Sequence, residues 1–223
     1  MSEIVLHGFW RSSSTHRVRI ALALKGIPHR LCSIHLGRRE QLDEAFLAIN
    51  PAGQVPVLEH EGLVLTQSVA ILRYLDLRWP VPLLFPTEAH RAAQVCELVE
   101  RVNSFMQPFQ MPGTVRRALM AHLDLPPDRA AEGIAAFVPA QLTEALHLLE
   151  AHVQHTAGDF CVGDHLTAAD VVVVPQLDGA ERLGIDLSAL PCLSAIRERC
   201  YRLDAFQTAD PWAQPDAPAR EKE

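Results

Sequence analysis

Aromatic residues are scarce in this chain of 223 residues, at 6% of the total, so aliphatic packing of Leu, Ala and Val has to build its interior. Basic residues are also in deficit: 20 Lys and Arg face 27 Asp and Glu, a formal charge of −7. That balance excludes a general nucleic-acid binder, which needs a basic face, and requires any anionic ligand to be drawn by a local arginine cluster. The five cysteines (Cys32, Cys96, Cys161, Cys192 and Cys200) include no Cys-x-x-Cys pair, which leaves a dithiol redox centre or a structural zinc site unsupported. Buried, reduced thiols of a cytoplasmic protein are the simpler reading. No apolar run approaches the ~20 residues of a membrane span. The start, Met1 to His7, lacks the basic and apolar segments of a signal peptide, so a soluble, cytoplasmic chain is expected. His147, His152 and His155 lack a same-face ligand spacing and read as solvated, so no metal is expected.

What is present falls into two halves. Residues 1–80 alternate strand and helix patterns: Ile4–Phe9 as a strand, Thr15–Leu24 as a helix stopped by Gly26 and Pro28, and His29–Leu36 as a second strand. Glu40–Ile49 has a one-sided apolar face, Val55–Glu59 and Leu63–Thr66 read as a hairpin, and Gln67–Trp79 as a further helix. The order β-α-β-α-β-β-α is the thioredoxin-like pattern. Residues 81–87, with two prolines, read as a linker. Residues 88–210 have helical periodicity, including stripes in Glu88–Met106 and Pro139–Gln154, and 211–223 read as a poorly packed tail. The Pro-rich stretch 107–128 implies interruptions, and Arg116-Arg117 within it is either a solvated pair or part of a substrate entrance. Leu166-Thr167-Ala168-Ala169-Asp170-Val171 has the capping-box spacing and should open a buried helix.

Three segments carry chemistry. Arg11-Ser12-Ser13-Ser14-Thr15-His16-Arg17 places four hydroxyls at a strand-to-helix junction. One would suffice as an N-cap; four, with flanking arginines, make a site suited to an anion or a thiolate. Gln54-Val55-Pro56 precedes a strand. If the Val55–Pro56 bond is cis, the Val55 backbone faces outward to pair with an extended peptide; a trans proline at a strand start is the commoner arrangement. Gln67-Ser68 opens a helix directly after a strand, where Ser68 is either a simple cap or part of a carboxylate cradle.

Taken together, these segments resemble the zeta class of glutathione transferases, whose first motif reads Ser-Ser-Cys-x-(Trp/His)-Arg-Val-Arg-Ile-Ala-Leu; Ser14 stands here at the cysteine position. Similar segments continue through Asn50-Pro51, Gln67-Ser68, Phe160 to Asp164, Thr167 to Asp170, Val174-Pro175-Gln176, Ala180-Glu181-Arg182 and Gln214-Pro215-Asp216. The resemblance implies a thioredoxin-like α/β domain followed by an all-α domain, a homodimer, and glutathione as cofactor. It implies cis–trans isomerisation of a small unsaturated keto-diacid, maleylacetoacetate or maleylpyruvate, as in aromatic catabolism. The alternatives are a general transferase that conjugates or dehalogenates electrophiles, and a non-catalytic binding protein. By the same resemblance Ser12, or else Ser13 or Ser14, contacts the sulfur. Gln54 and Val55 hold the cysteinyl unit, Gln67 and Ser68 the γ-glutamyl carboxylate, and Gln41 the glycine end. Arg11 and Arg182 are expected on the substrate carboxylates; an ion pair of Arg182 with Asp178 or Glu181 is the structural alternative.

Overall fold

The computed structural model describes residues 2–110 and 125–219, and Arg116-Arg117 lie outside them. The chain divides into two compact units. One takes the chain up to Phe85 together with the residues from Cys200 onward; the other is Pro86–Arg199.

The first unit holds β1 (Ile4–Gly8), α1 (Ser13–Leu24), β2 (His29–Ser33), α2 (Glu44–Ile49), β3 (Val57–His60), β4 (Leu63–Thr66) and α3 (Ser68–Arg78). The strands form one sheet in the order β2-β1-β3-β4. β1 runs parallel to β2, as a connection through a helix allows, and antiparallel to β3. β3 and β4 form the hairpin, whose turn places Glu61 and Gly62 at positive φ. Ile4 and Leu6 of β1, Val18, Ile20 and Leu22 of α1, Val57 and Leu58 of β3, and Ile71, Leu72 and Leu75 of α3 make the aliphatic core.

The segment read as a linker is partly built into this unit. Lys25 Nζ donates to Asp76 Oδ1 (2.9 Å) and to the carbonyls of Trp79 and Pro82 (2.7 Å each). Asp76 in turn accepts from the N–H groups of Leu84 and Phe85.

The C-terminal residues belong to this unit. α8 (Asp204–Ala209), inside the stretch read as helical, packs on α1 with Phe206 fully buried. Arg19 Nε donates to the Ala209 carbonyl at 3.1 Å, and the Trp212 ring lies 4.8 Å from that of Trp10. These contacts supply the apolar burial and backbone partners that composition alone did not reveal.

The second unit holds α4 (Ala89–Glu100), continued by a π-helical turn over Arg101–Met106, then α5 (Pro127–Thr156), α6 (Ala168–Glu181) and α7 (Pro191–Cys200). α5 starts well before the apolar stripe seen in the sequence and runs through Pro139; α6 runs through Pro175. The capping box at the head of α6 is formed. Asp170 Oδ2 accepts from the Thr167 N–H (2.8 Å), Thr167 Oγ1 accepts from the Ala169 N–H (3.3 Å), and Asp170 Oδ1 accepts from the Cys161 N–H (2.8 Å). α6 is buried along most of its length. The buried Glu150 of α5 accepts from the Cys192 and Leu193 N–H groups (2.9 Å each), satisfying orphan donors at the head of α7. Among the described residues no helix is long and apolar enough to cross a membrane, and no group of three or more His, Cys, Asp or Glu could hold a metal ion.

Candidate functional site

The sheet register decides which segments meet. His7 of β1 lies opposite Val57 of β3, and Val57 lies opposite Thr66 of β4. The segments that follow β1, precede β3 and follow β4 therefore leave the same end of the sheet. These are 9–12, which leads into the hydroxyl run Ser12–Thr15, together with 54–56 and 67–68, so the three segments that the sequence singles out lie at this end.

Ser12 is the N-cap of α1. Its φ/ψ of −70°/118° is extended, and its Oγ accepts from the Thr15 N–H at 3.2 Å. That bond occupies one lone pair and leaves the hydroxyl hydrogen available to a ligand. Ser13 and Ser14 are the first two helical residues, both half-buried, and the first turn contains no acidic residue. The positive end of the helix thus has no carboxylate of its own sequence to neutralise it. Arg11 is exposed just before the cap.

α3 repeats the arrangement. Gln67, at its N-cap, adopts φ 70° and ψ 114°, a left-handed conformation that non-glycine residues rarely hold and that costs ~1–3 kcal/mol. Its side chain is exposed and makes no capping bond. Ser68 behind it is buried, and its Oγ accepts from Arg17 Nη1 at 3.2 Å, tying the first turn of α3 to α1. Arg17 is fully buried, and burial lowers its guanidinium to about 10, still well above neutral pH. A cation therefore lies beneath both helix starts.

The Val55–Pro56 bond is cis. The loop before it is braced by buried Asn50, whose Nδ2 donates to the Gln54 carbonyl (2.7 Å) and whose Oδ1 accepts from the Ala52 N–H (3.1 Å). Gln41 lies beside this loop: a Cβ on Gly53, itself at φ +60°, would come within 3.0 Å of the Gln41 carbonyl. Gln41 Oε1 is buried without a hydrogen-bond partner, an arrangement that a ligand donor would complete.

Arg182 belongs to the second unit, at the C-cap of α6, and is half-buried. Of the carboxylates offered as its structural partners, both are bonded by Arg197, and Glu181 also feels the Arg182 charge. Arg197 Nε lies 2.7 Å from Asp178 Oδ1, and Nη2 lies 2.6 Å from Glu181 Oε2. Sequence reasoning missed Gln110, whose buried Nε2 lacks a hydrogen-bond partner and stands 3.1 Å from where a Cβ of Gly179 would be. Arg182 Nη2 is 3.8 Å from that same point, so carboxamide and guanidinium converge over a glycine. A glycine one turn before an arginine was the only signal available.

Residues 2–77 match the N-terminal domain model of glutathione S-transferases, and residues 125–204 match the C-terminal one. The chain is 37% identical over 217 residues to the maleylacetoacetate isomerase of Rattus norvegicus, covering 96% of this chain and 95% of that protein. It is 36% identical over 214 residues to a maleylpyruvate isomerase of a Ralstonia species, covering 95% and 99%. Among solved structures, the maleylacetoacetate isomerase of Methylobacterium extorquens AM1 with bound malonate and glutathione superposes with a TM-score of 0.87 at 37% identity, covering 96% and 100%. The chain belongs to the glutathione S-transferase family, in its zeta-class, maleylacetoacetate isomerase branch.

Proposed function

We propose that this chain binds glutathione in its first unit and uses it, unconsumed, to isomerise the cis double bond of a small unsaturated keto-diacid such as maleylacetoacetate or maleylpyruvate. The observation that carries this reading is the meeting of two helix N-termini, both free of acidic residues in the first turn, with the Val55 loop at one end of the sheet. The residues present fit the tripeptide: the partnerless Gln41 Oε1 suits a peptide N–H donor, while the Gln67 backbone held in a strained conformation and the buried Arg17 between the two helices suit an anionic end. When bound, glutathione supplies a thiolate that adds reversibly to the conjugated double bond, so that rotation occurs about a single bond.

The protein's own contribution is binding, orientation and charge. Ser12 donates its hydroxyl hydrogen to the sulfur, favouring the thiolate together with the α1 N-terminus. Ser13 and Ser14 line the same turn. The Val55 backbone, beside Gln54, pairs with the cysteinyl unit. Gln67 and the Ser68 hydroxyl, pre-set by Arg17, hold the γ-glutamyl carboxylate, and Gln41 takes the glycine end. Arg11 and Arg182 each serve as carboxylate ligands for the diacid, since a planar guanidinium offers two parallel donors. The bound malonate and glutathione of the Methylobacterium relative support this assignment of ligand classes. A cytoplasmic homodimer is the assembly proposed with this activity, and sedimentation tests it.

A glutathione-dependent assay of maleylacetoacetate, maleylpyruvate and a chloro-aromatic electrophile tests the reading. Isomerisation of at least one diacid is expected. Conjugation of the electrophile without either isomerisation would replace it with a general transferase.

A further inference from the structure

Residues 211–223 read from composition as a poorly packed tail, yet Asp216 reaches across 206 residues of sequence to the turn that presents Ser12. Asp216 Oδ2 accepts from the Trp10 N–H at 3.0 Å and from Ser33 Oγ at 2.8 Å. The rest of that turn is pinned as closely. Arg19 Nη2 donates to the Trp10 carbonyl (3.0 Å), and the Ser12 N–H donates to the Phe9 carbonyl (3.0 Å). Arg19 is itself fixed through Nε to Ala209, the last residue of α8. The segment between Ala209 and Asp216 is braced internally. Asp210 Oδ1 accepts from the Trp212 N–H (2.8 Å), and Gln214 Nε2 donates to the carbonyls of Thr208 and Asp210 (2.9 Å each). Asp216 Oδ1 is buried with no hydrogen-bond partner among the described residues, so the carboxylate is held here at a cost.

The geometry points to Asp216 as a positioning residue for the sulfur site: it fixes the Trp10–Ser12 backbone, and hence the Ser12 hydroxyl, from the far end of the chain. This inference rests on the assignment of Ser12 to the sulfur. The chemistry agrees with a positional role and not with a direct one. A carboxylate next to a thiolate repels it, so Asp216 acting by charge would oppose ionisation of the sulfur. Acting through the Trp10 N–H, it holds the Ser12 donor in the one place where ionisation is favoured.

Three variants of the full chain separate these roles: Asp216→Ala, Asp216→Asn and Ser12→Ala, with the double variant Ser12→Ala/Asp216→Ala. The readouts are kcat and KM for glutathione, thiolate absorbance of bound glutathione at pH 7, and amide hydrogen exchange in the peptide spanning residues 9–14. Asp216→Ala is expected to accelerate that exchange, lower bound-thiolate absorbance and cut kcat about tenfold, with a smaller change in KM. Asp216→Asn keeps an acceptor and should retain most of the turnover. In the Ser12→Ala background, Asp216→Ala should cost little further turnover, because both act through one hydroxyl. Equal losses in both backgrounds, a rise in thiolate absorbance on removing the charge, or faster exchange without loss of kcat would overturn the proposal. So would an Asn variant as impaired as the Ala one. If Ser12→Ala alone leaves turnover and thiolate absorbance intact, the sulfur assignment has failed first, whatever the Asp216 variants show.

Discussion

Ser12 has two duties, and they can be taken apart by comparing Ser12→Ala with Ser12→Gly. As N-cap it accepts from the Thr15 N–H at 3.2 Å. Losing such a cap to alanine costs ~1 kcal/mol, whereas glycine at an N-cap costs only a few tenths. In a chain of this length ~1 kcal/mol corresponds to a fall of about 2–4 °C in Tm. The hydroxyl's other duty, donation to a charged sulfur, is a charge-assisted hydrogen bond worth ~1.5–3 kcal/mol, which is about 10- to 150-fold in rate. The two variants should therefore share one kinetic defect and differ in stability. Both should lose about 10- to 150-fold in kcat at saturating glutathione, but only the alanine variant should melt measurably lower. Calorimetry and a saturating-glutathione isomerase assay on the three proteins suffice. If the glycine variant keeps turnover within about twofold, Ser12 is a cap and nothing more, and Ser13 or Ser14 becomes the donor to test.

Further expectations concern charge and burial. Arg182→Met should reduce kcat/KM for the diacid by about 10- to 100-fold while sparing conjugation of a neutral electrophile; equal losses on both, or a matching fall in Tm, would assign Arg182 a structural role. Asp170→Ala strips the acceptor from the buried N–H groups of Cys161 and Thr167, at ~1–3 kcal/mol each. Relief from burying a carboxylate, which raises the pKa of Asp170, offsets part of this, so urea unfolding should show a net loss of about 3 kcal/mol; a loss under about 1 kcal/mol would contradict the capping account. The hydrogen bond from Arg197 holds the Glu181 carboxyl below its usual range, so its contribution to stability is present above the ordinary carboxylate range and is lost as pH falls through the lowered value. The Tm gap between the wild type and Glu181→Gln should accordingly close on acidification below about pH 4, and a gap unchanged by pH would remove the ion pair as its cause.

Local pattern made the first unit readable. Gly26 and Pro28 stop α1, a turn containing Gly62 between two short runs marks β3 and β4, and helical spacing marks α3, because each signal lies within a few residues of the element that it defines. The hydroxyl run and Gln67-Ser68 likewise lie at their own helix starts. What could not be read were structures fixed by distant partners. Residues 211–223 look unpacked by composition, since Pro, Ala and charge dominate; Asp216 among them is held by Trp10 and Ser33, which lie more than 180 positions away. Arg182 is close in sequence to Asp178 and Glu181, and only tertiary packing brings the more distant Arg197 onto both carboxylates. Pro139 disguised the first half of α5, because a proline inside a helix removes a donor and normally marks an end. The Val55–Pro56 bond, open in the sequence, is cis in the structure.

The central claim is that glutathione is required by this chain but not consumed by it. The direct measurement follows substrate and free thiol together, with glutathione supplied at a small fraction of the diacid concentration. The account predicts complete conversion of the cis diacid to the trans isomer with all of the thiol recovered, and no conversion when glutathione is omitted. Loss of one thiol for each substrate molecule converted, or isomerisation that proceeds equally well without glutathione, would contradict it.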